Sequence, residues 1–285
     1  MKHLLSVLLV LLLTASTALL ANEFWLEPTR FVVAPGARVH LRRLSGEDFR
    51  GQPWAGRRAR LELLRHYAPG APFLDLLTAS ASAANPTATT DTIQSTVTLH
   101  QPGTHLVALV TNNAIITLEA ARFSAYLQQE GLDNVLALRE QRGQTTEPGR
   151  EAYRRCAKTL VQAGPPNPAD TARAWARPVG LPLELVPEQN PYHLAPEAPM
   201  TVRVLRAGQP VAGQLVVLWR RGAQPQALLQ KIRSNQNGRV LLHLSGPGQY
   251  LVSTVRMESA PAAAGADWQS TWSTLTFGLP GKARL

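Results

Sequence analysis

Short runs in which apolar and polar residues alternate recur through the first part of the chain. Residues 37–41 alternate after a Pro-Gly turn, and residues 94–99 lead through a second Pro-Gly turn into the apolar run 104–111. Alternation with a period of two, interrupted by turn residues, is typical of β-strands. Residues 22–118 are therefore predicted to form an antiparallel β-sandwich.

The same kind of pattern returns towards the C-terminus. Strand-like runs occupy residues 200–205, 214–219, 239–244 and 249–255, and glycine-containing turns separate them. The apolar faces of such strands need a second sheet to bury them, so residues 180–285 are predicted to form another sandwich. The expected fold class is mainly β, with two immunoglobulin-like or prealbumin-like β-sandwich domains and a helical segment between them.

The middle of the chain changes to helical spacing. Apolar residues recur three and four positions apart across residues 123–130 and 132–142, and a similar stripe predicts a third helix over residues 148–163. The proline-rich residues 164–168 cannot continue that helix. Residues 119–179 are therefore predicted to be a helical connector followed by a Pro-rich linker.

The first 21 residues have the layout of a secretory signal peptide. A short polar start precedes residues 4–13, which are apolar apart from Ser6, and small residues follow, with Ala18 and Ala21 as alternative cleavage positions. The apolar run is about ten residues, half of the roughly 20 that a membrane-spanning helix needs, although an uncleaved anchor is the alternative. We expect a periplasmic or secreted protein with no integral membrane segment after signal removal.

Composition narrows the class of partner. The chain has 285 residues, with 29 Lys and Arg against 19 Asp and Glu, which gives a formal net charge of +10. The positive residues form short clusters in different zones rather than one face, so the sequence predicts no nucleic-acid partner. The single cysteine, Cys156, cannot form an intramolecular disulfide.

Signals for catalysis are weak. The chain has no G-x-S-x-G motif and no pair of histidines with the H-x-x-x-H spacing of a helical metal site. His100 and His105 flank a Pro-Gly turn and could meet there, but two partly exposed histidines at strand ends are the favoured interpretation. A hydrolase using Glu23, Glu27 or Glu184 stays open only if two of these acids converge. The sequence therefore predicts that the protein is not an enzyme.

Aromatic residues beside polar ones offer candidate ligand-binding positions. These candidates are Trp25, Glu27, Asp267, Trp268 and Trp272. Tryptophans with polar neighbours can form a platform for sugars, and they can equally be core aromatics. A core position is the favoured interpretation of the two C-terminal tryptophans.

Several segments, in order along the chain, resemble an exported family called domain of unknown function 4198. They are residues 22–28 (NEFWLEP), 123–132, 149–160, 180–192 and 267–277. Parts of that family are linked with nickel or cobalt uptake, which implies Ni or Co as a transported ligand and a membrane metal transporter or outer-membrane receptor as a partner. Many relatives have histidine in the place of Asn22, and asparagine lacks that imidazole ligand. The metal ligands are accordingly unknown.

The resemblance and the residues together predict an exported, non-enzymatic binding protein of the cell envelope. An accessory component of nickel or cobalt uptake is the specific form of this prediction. The alternative is a carbohydrate or envelope-polymer binding module.

Overall fold

The computed structural model describes residues 23–78, 96–167, 172–222 and 227–281. The predicted signal peptide and Asn22 lie outside these residues. The strands, in chain order, are β1 (Glu23–Pro28), β2 (Val32–Val33), β3 (Ala37–Glu47), β4 (Arg50–Pro53), β5 (Leu61–Tyr67), β6 (Leu74–Asp75), β7 (Thr96–Leu99), β8 (Gly103–Thr111), β9 (Ala114–Leu118), β10 (Gly149–Ala163), β11 (Leu183–Pro187), β12 (Pro199–Arg206), β13 (Gln209–Pro210), β14 (Leu215–Arg221), β15 (Ala227–Arg233), β16 (Arg239–His243), β17 (Gly248–Ser259) and β18 (Trp268–Leu279). Two α-helices lie wholly within the described residues, α1 (Ala120–Gln129) and α2 (Asp133–Gln141).

A ten-stranded sheet forms the centre of the molecule. Its main path runs β15-β14-β17-β18-β10-β8-β5-β6, and β2 and β9 also pair with β10. β10 runs parallel to β18 and antiparallel to β8. One small sheet contains β1, β3 and β4, with β7 paired to β3, and another contains β11, β12 and β13, with β16 paired to β12.

Each small sheet covers one face of the central sheet. Leu106 and Ala108 of β8 pack in a core with residues of β11, β12 and β16. Val107 and Leu109 point the other way, into a core with residues of β1, β3 and β7. Because successive side chains of a strand point to opposite faces, the central sheet is the shared middle layer of two sandwiches.

The prediction of a third helix over residues 148–163 was wrong, because this segment is strand β10. From Cys156 to Ala163 every residue of β10 is buried, so both faces of the strand carry core side chains. A strand covered on both faces reads as a continuous apolar run and lacks a period of two. Polar residues such as Arg155, Lys158 and Gln162 are also buried in β10, so polar and apolar positions do not alternate and the apolar ones fall at helical spacing by chance.

A two-domain arrangement with a helical linker is not confirmed. Strands from residues 22–118 and from residues 180–285 belong to the same central sheet, and β10, from the predicted connector, lies between them. The mainly β class is confirmed. The division of the chain near residues 118 and 180 stays a prediction.

The two preceding helices were predicted correctly. Phe123, Tyr126 and Leu127 of α1 and Val135 of α2 are buried in a core with residues of β17 and β18. Gly131 separates the helices with a φ of 64°, a left-handed conformation that favours glycine. Within the described ranges, no helix combines the length and apolar character needed to cross a membrane.

Candidate functional site

Trp25 and Glu27 lie close together on β1, but both are buried. Trp25 packs edge-on against Phe49 with ring centroids 5.5 Å apart, and its indole N–H donates to Glu27 Oε2 at 3.4 Å. The Glu27 carboxylate forms ion pairs with Arg42 of β3 and Arg221 of β14. Glu27 therefore ties the first small sheet to the central sheet.

Trp268 and Trp272 belong to the core beneath the helices. Their exposed fractions are 1% and 3%, and Tyr126 stacks on Trp272 with ring centroids 6.3 Å apart. Asp267 is exposed, and its side chain accepts a hydrogen bond from the backbone N–H of Arg150. The five predicted ligand-binding residues are thus not gathered in one cavity, and neither C-terminal tryptophan has an open ring face.

The three acids considered for hydrolysis lie in three separate environments. Glu27 is paired with arginines, Glu184 is buried against Lys158, and Glu23 lines a cavity. No two of the three form a catalytic carboxylate pair. The geometry therefore gives the hydrolase alternative no support.

Glu23 belongs to a cavity with a volume of about 230 Å³, which we call the acidic cavity. It lies between the start of β1, the turn from β3 to β4, the end of α1, and strands β14 and β15. It is lined by Glu23, Glu47, Asp48, Tyr126, Gln129, Glu130, Leu215, Val217, Trp219, Leu228 and Lys231. Four carboxyl groups and one ammonium group give it an excess of negative charge in a chain whose net charge is positive.

Burial changes the acidity of Glu23. Its carboxyl group accepts hydrogen bonds from the Ser253 hydroxyl and from the backbone of Phe49, whereas Oε2 is buried and lacks a well-formed bond to any described residue. Burial raises the pKa of Glu23 to about 7, and the nearby charge of Asp48 adds to the increase. This carboxyl group therefore titrates near neutral pH.

Glu130 faces the same cavity from the end of α1. Burial raises its pKa to about 8, and the charges of Glu23, Glu47 and Asp48 contribute, against an opposing effect of Lys231. Two carboxyl groups of one cavity thus hold protons at mildly acidic pH and repel each other when ionised. A bound cation would relieve that repulsion.

The turn that carries Asp48 has an unusual backbone. Asp48 and Phe49 have φ values of 54° and 59°, in the left-handed region that residues other than glycine rarely adopt. Phe49 is fully buried against Trp25, and the Arg221 guanidinium lies 4.5 Å from its ring centroid. This packing fixes the turn, and left-handed residues held in this way cluster at functional sites.

Tyr126 connects the acidic cavity to a buried polar group behind it. Its hydroxyl donates to Glu151 Oε1 at 3.3 Å, and the Ser270 hydroxyl donates to the same oxygen. Burial raises the pKa of Glu151 to about 7 and raises the pKa of Tyr126 well above its ordinary value. Tyr126 is therefore a neutral, fixed wall of the cavity.

The charge and the size of the acidic cavity are suited to a cation. Among the described residues, no three His, Cys, Asp or Glu side chains converge as a direct metal site. A volume of about 230 Å³ exceeds by several times the roughly 30 Å³ that one water occupies in the liquid. The cavity has room for a cation that keeps several waters, with carboxylates binding it through them.

Sequence reasoning singled out Glu23 but missed the other acids of the cavity. They come from the end of β3, the following turn and the end of α1, and these elements meet only in the folded chain. Their spacing therefore carries no motif. The one available signal for a site was Glu130, which follows the last turn of α1. A carboxylate is unfavourable at a helix C-terminus, so its presence there suggests a role other than helix stability.

A second buried titratable pair lies away from this cavity. His66 Nε2 is 2.9 Å from His105 Nδ1, and His105 Nε2 is 2.7 Å from the carbonyl oxygen of Gln101. A carbonyl only accepts, so His105 carries its proton on Nε2 and its Nδ1 accepts from His66. The expectation that His105 is a partly exposed strand end was wrong, whereas His100 is exposed as expected.

This pair predicts a loss of stability in acid. Burial, followed by the charges of His105 and His100, lowers the pKa of His66 to about 4 from its ordinary 6.5. The unfolded chain binds the proton first, so the free energy of unfolding decreases as pH falls from 6.5 towards 4. Between about pH 7 and about pH 5 we expect His66 to remove about 2 kcal/mol.

Urea unfolding of the wild type and of His66→Gln at both pH values checks this. Glutamine can still donate to His105 but does not titrate, so the variant should lose about 2 kcal/mol less than the wild type. The raised pKa values of Glu23, Glu130 and Glu151 act in the opposite direction and are common to both proteins. Equal losses in the two proteins would contradict the prediction.

Together the fold and the cavity define a mainly β protein with a central sheet covered on both faces and an acidic cavity beside β1. The chain belongs to the family described as domain of unknown function (DUF4198), whose model matches residues 19–258. The predicted family is thereby confirmed. The family description names no ligand or activity, so the link to nickel or cobalt stays a prediction.

Other similarities are distant. No curated protein is significantly similar to the chain. A solved structure of the D0-D1 domain of Intimin aligns with 90% of this chain and 97% of that chain, at 11% identity and a TM-score of 0.18. A similarity of that size supports no conclusion, and the immunoglobulin-like or prealbumin-like topology stays a prediction.

Proposed function

We propose that this chain is an exported, non-enzymatic binding protein of the cell envelope that takes a cation in its acidic cavity. The observation that carries the proposal is the presence of four carboxyl groups around one small cavity, two of them with pKa values raised to about 7 and about 8. Carboxyl groups that repel one another are stabilised by a cation, and no sequence motif for catalysis competes with this role.

Nickel or cobalt, as the transported ligand of an uptake system, is the specific form of the proposal. It rests on the uptake link that the family resemblance implies and on the negative charge of the cavity. Oxygen donors suit hard cations, whereas imidazole suits nickel more strongly, so we expect weak and exchangeable binding. Weak binding fits a protein that passes its cargo to a membrane transporter or receives it from an outer-membrane receptor.

Binding should depend on pH, because the cation competes with protons at Glu23 and Glu130. We expect the affinity for Ni²⁺ or Co²⁺ to rise at least about tenfold between about pH 6 and about pH 8, with protons released on binding. Calorimetry of the signal-cleaved protein, in buffers of different ionisation enthalpy, measures both quantities. Mg²⁺ is the comparison that separates a transition-metal site from a general cation site.

Glu130→Gln tests the cavity directly. The variant removes one carboxylate and one titrating proton, so we expect about tenfold weaker binding and a smaller proton release. Glu140→Gln is the matched control, because Glu140 is exposed on α2 and does not line the cavity. Equal effects of the two substitutions, or no saturable binding, would contradict the proposal, and equal affinity for Mg²⁺ would contradict the nickel or cobalt form.

The carbohydrate alternative has less support. It depended on Trp268 and Trp272, and both rings are covered by the helices and their own core. A sugar would have to displace that core to reach them. We therefore favour the cation.

A further inference from the structure

A second cavity, which we call the basic cavity, lies on the opposite face of the central sheet from β1. Its volume is about 400 Å³, within the roughly 300–1,000 Å³ range of small-molecule pockets. The charged side chains in its wall are Arg154, Arg206, Arg256 and Glu258. None of these residues belongs to the acidic cavity.

The sheet register places two of the arginines in one row. Thr271 of β18 is paired with Arg154 of β10 on one side and with Arg256 of β17 on the other. Residues paired across neighbouring strands share a face of the sheet. Neighbouring strands are about 4.8 Å apart, and two such spacings separate the arginines, so their Cα atoms are about 10 Å apart. Alternate residues of a strand point to the same face. Cys156, two positions after Arg154, and Leu275, four positions after Thr271, pack in the core with β11 and β12, so the arginines lie on the face that these two strands cover.

Arg206 completes the site from the opposing layer. It is the exposed last residue of β12 and lines the cavity from the small sheet. Three guanidinium groups from three strands and two sheets thus line one cavity. Like charges brought together repel one another, so this arrangement favours an anion between them.

The hydrogen bonds already present leave donors for such an anion. Glu258 accepts from both Arg206 and Arg256, whereas the Nε of Arg154 donates to the Thr271 hydroxyl at 3.2 Å. Across the described ranges, the terminal Nη groups of Arg154 donate no hydrogen bond. One carboxylate against three guanidinium groups leaves a net charge of two positive units in the cavity.

We propose that the basic cavity binds a small organic or inorganic dianion whose oxygens carry the charge. Two negative charges match the excess of two positive ones, and guanidinium groups bind carboxylate and phosphate oxygens through paired hydrogen bonds. Dicarboxylates and phosphates share this chemistry. The proposal stands apart from cation binding, because it uses different residues on the other face of the sheet.

Calorimetry of the signal-cleaved protein with succinate, and separately with inorganic phosphate, tests the proposal and separates the two sources of charge. We expect saturable one-to-one binding of at least one probe and about tenfold weaker binding by Arg154→Gln, because a charged hydrogen-bonded pair is lost. Arg38→Gln is the matched control, since Arg38 is an exposed arginine of β3 outside this cavity. It removes the same charge from the protein.

Each outcome is decisive. Binding that Arg154→Gln weakens and Arg38→Gln does not supports the site. Equal weakening by both variants would mean that a positively charged protein attracts anions without a site, and absence of saturable binding of both probes would overturn the proposal as well. If Arg154→Gln does not fold, Arg206→Gln takes its place, because Arg206 is exposed at a strand end and its loss spares the sheet. Failure of this test leaves the metal titrations of the acidic cavity unaffected.

Discussion

Replacing Lys158 by methionine should destabilise the protein by about 3–5 kcal/mol, the cost of breaking a buried ion pair by removing one partner. Lys158 and Glu184 are each 1% exposed at the side chain and form an ion pair between the central sheet and β11. Methionine fills a similar volume but leaves the Glu184 carboxylate buried without a counter-charge. Chemical unfolding followed by circular dichroism measures the loss.

The double variant Lys158→Met with Glu184→Gln separates charge from packing. Glu184 also accepts backbone N–H groups of Val179, Gly180 and Leu181 at 2.7, 3.1 and 3.2 Å, and a glutamine oxygen can keep part of this set. In the double variant both side chains are uncharged, so no carboxylate is buried without a counter-charge. We therefore expect it to recover about half of the stability that Lys158→Met loses. A single-variant loss below about 1 kcal/mol would show that the pair is not buried as described.

Replacing Trp272 by alanine should also cost about 3–5 kcal/mol, as expected when a buried tryptophan is truncated. Its ring is 3% exposed and stacks on Tyr126 beneath the helices. Thermal and urea unfolding measure the effect. A variant of unchanged stability that loses binding on a glycan array would instead favour the sugar-platform hypothesis.

Trp272→Phe is the matched control. The indole N–H of Trp272 has no hydrogen-bond partner among the described residues, so phenylalanine removes a buried donor that is not satisfied. The aromatic contact with Tyr126 is kept and only part of the volume is lost. We expect a cost below about 1.5 kcal/mol, and a loss as large as that of alanine would contradict a packing role.

The sequence correctly predicted strands and helices that bury one face, and it failed for a strand that buries both faces. Strands such as β16, whose burial alternates, carry the period-two pattern, and α1 carries a helical stripe. β10 is buried on both faces and includes buried polar residues such as Lys158 and Gln162, so it lacks the period of two that identifies a strand and was mistaken for a helix. Composition alone could not show that this strand joins the two predicted sandwiches.

The candidate sites were harder to predict for a related reason. Glu23 was noticed as an acid near the start of the folded chain, but Glu47, Asp48 and Glu130 join it only through tertiary contacts. Trp268 and Trp272, which the sequence left open between core and ligand, lie in the core because α1 and α2 fold over them. Local patterns describe single elements, whereas a cavity depends on which elements meet.

The parallel pairing of β10 with β18 has a consequence for when this molecule can fold. The paired residues Arg154 and Thr271 are 117 positions apart, and the Thr274 hydroxyl reaches the Phe24 carbonyl across 250 positions. Contacts between such distant segments carry a large loop-closure entropy and slow the folding of a chain. The middle of the sheet stays incomplete until the last strand arrives, so a ribosome-bound or translocating chain cannot close it early. If the chain is exported as proposed, late closure would keep it unfolded until its last strand has crossed the membrane.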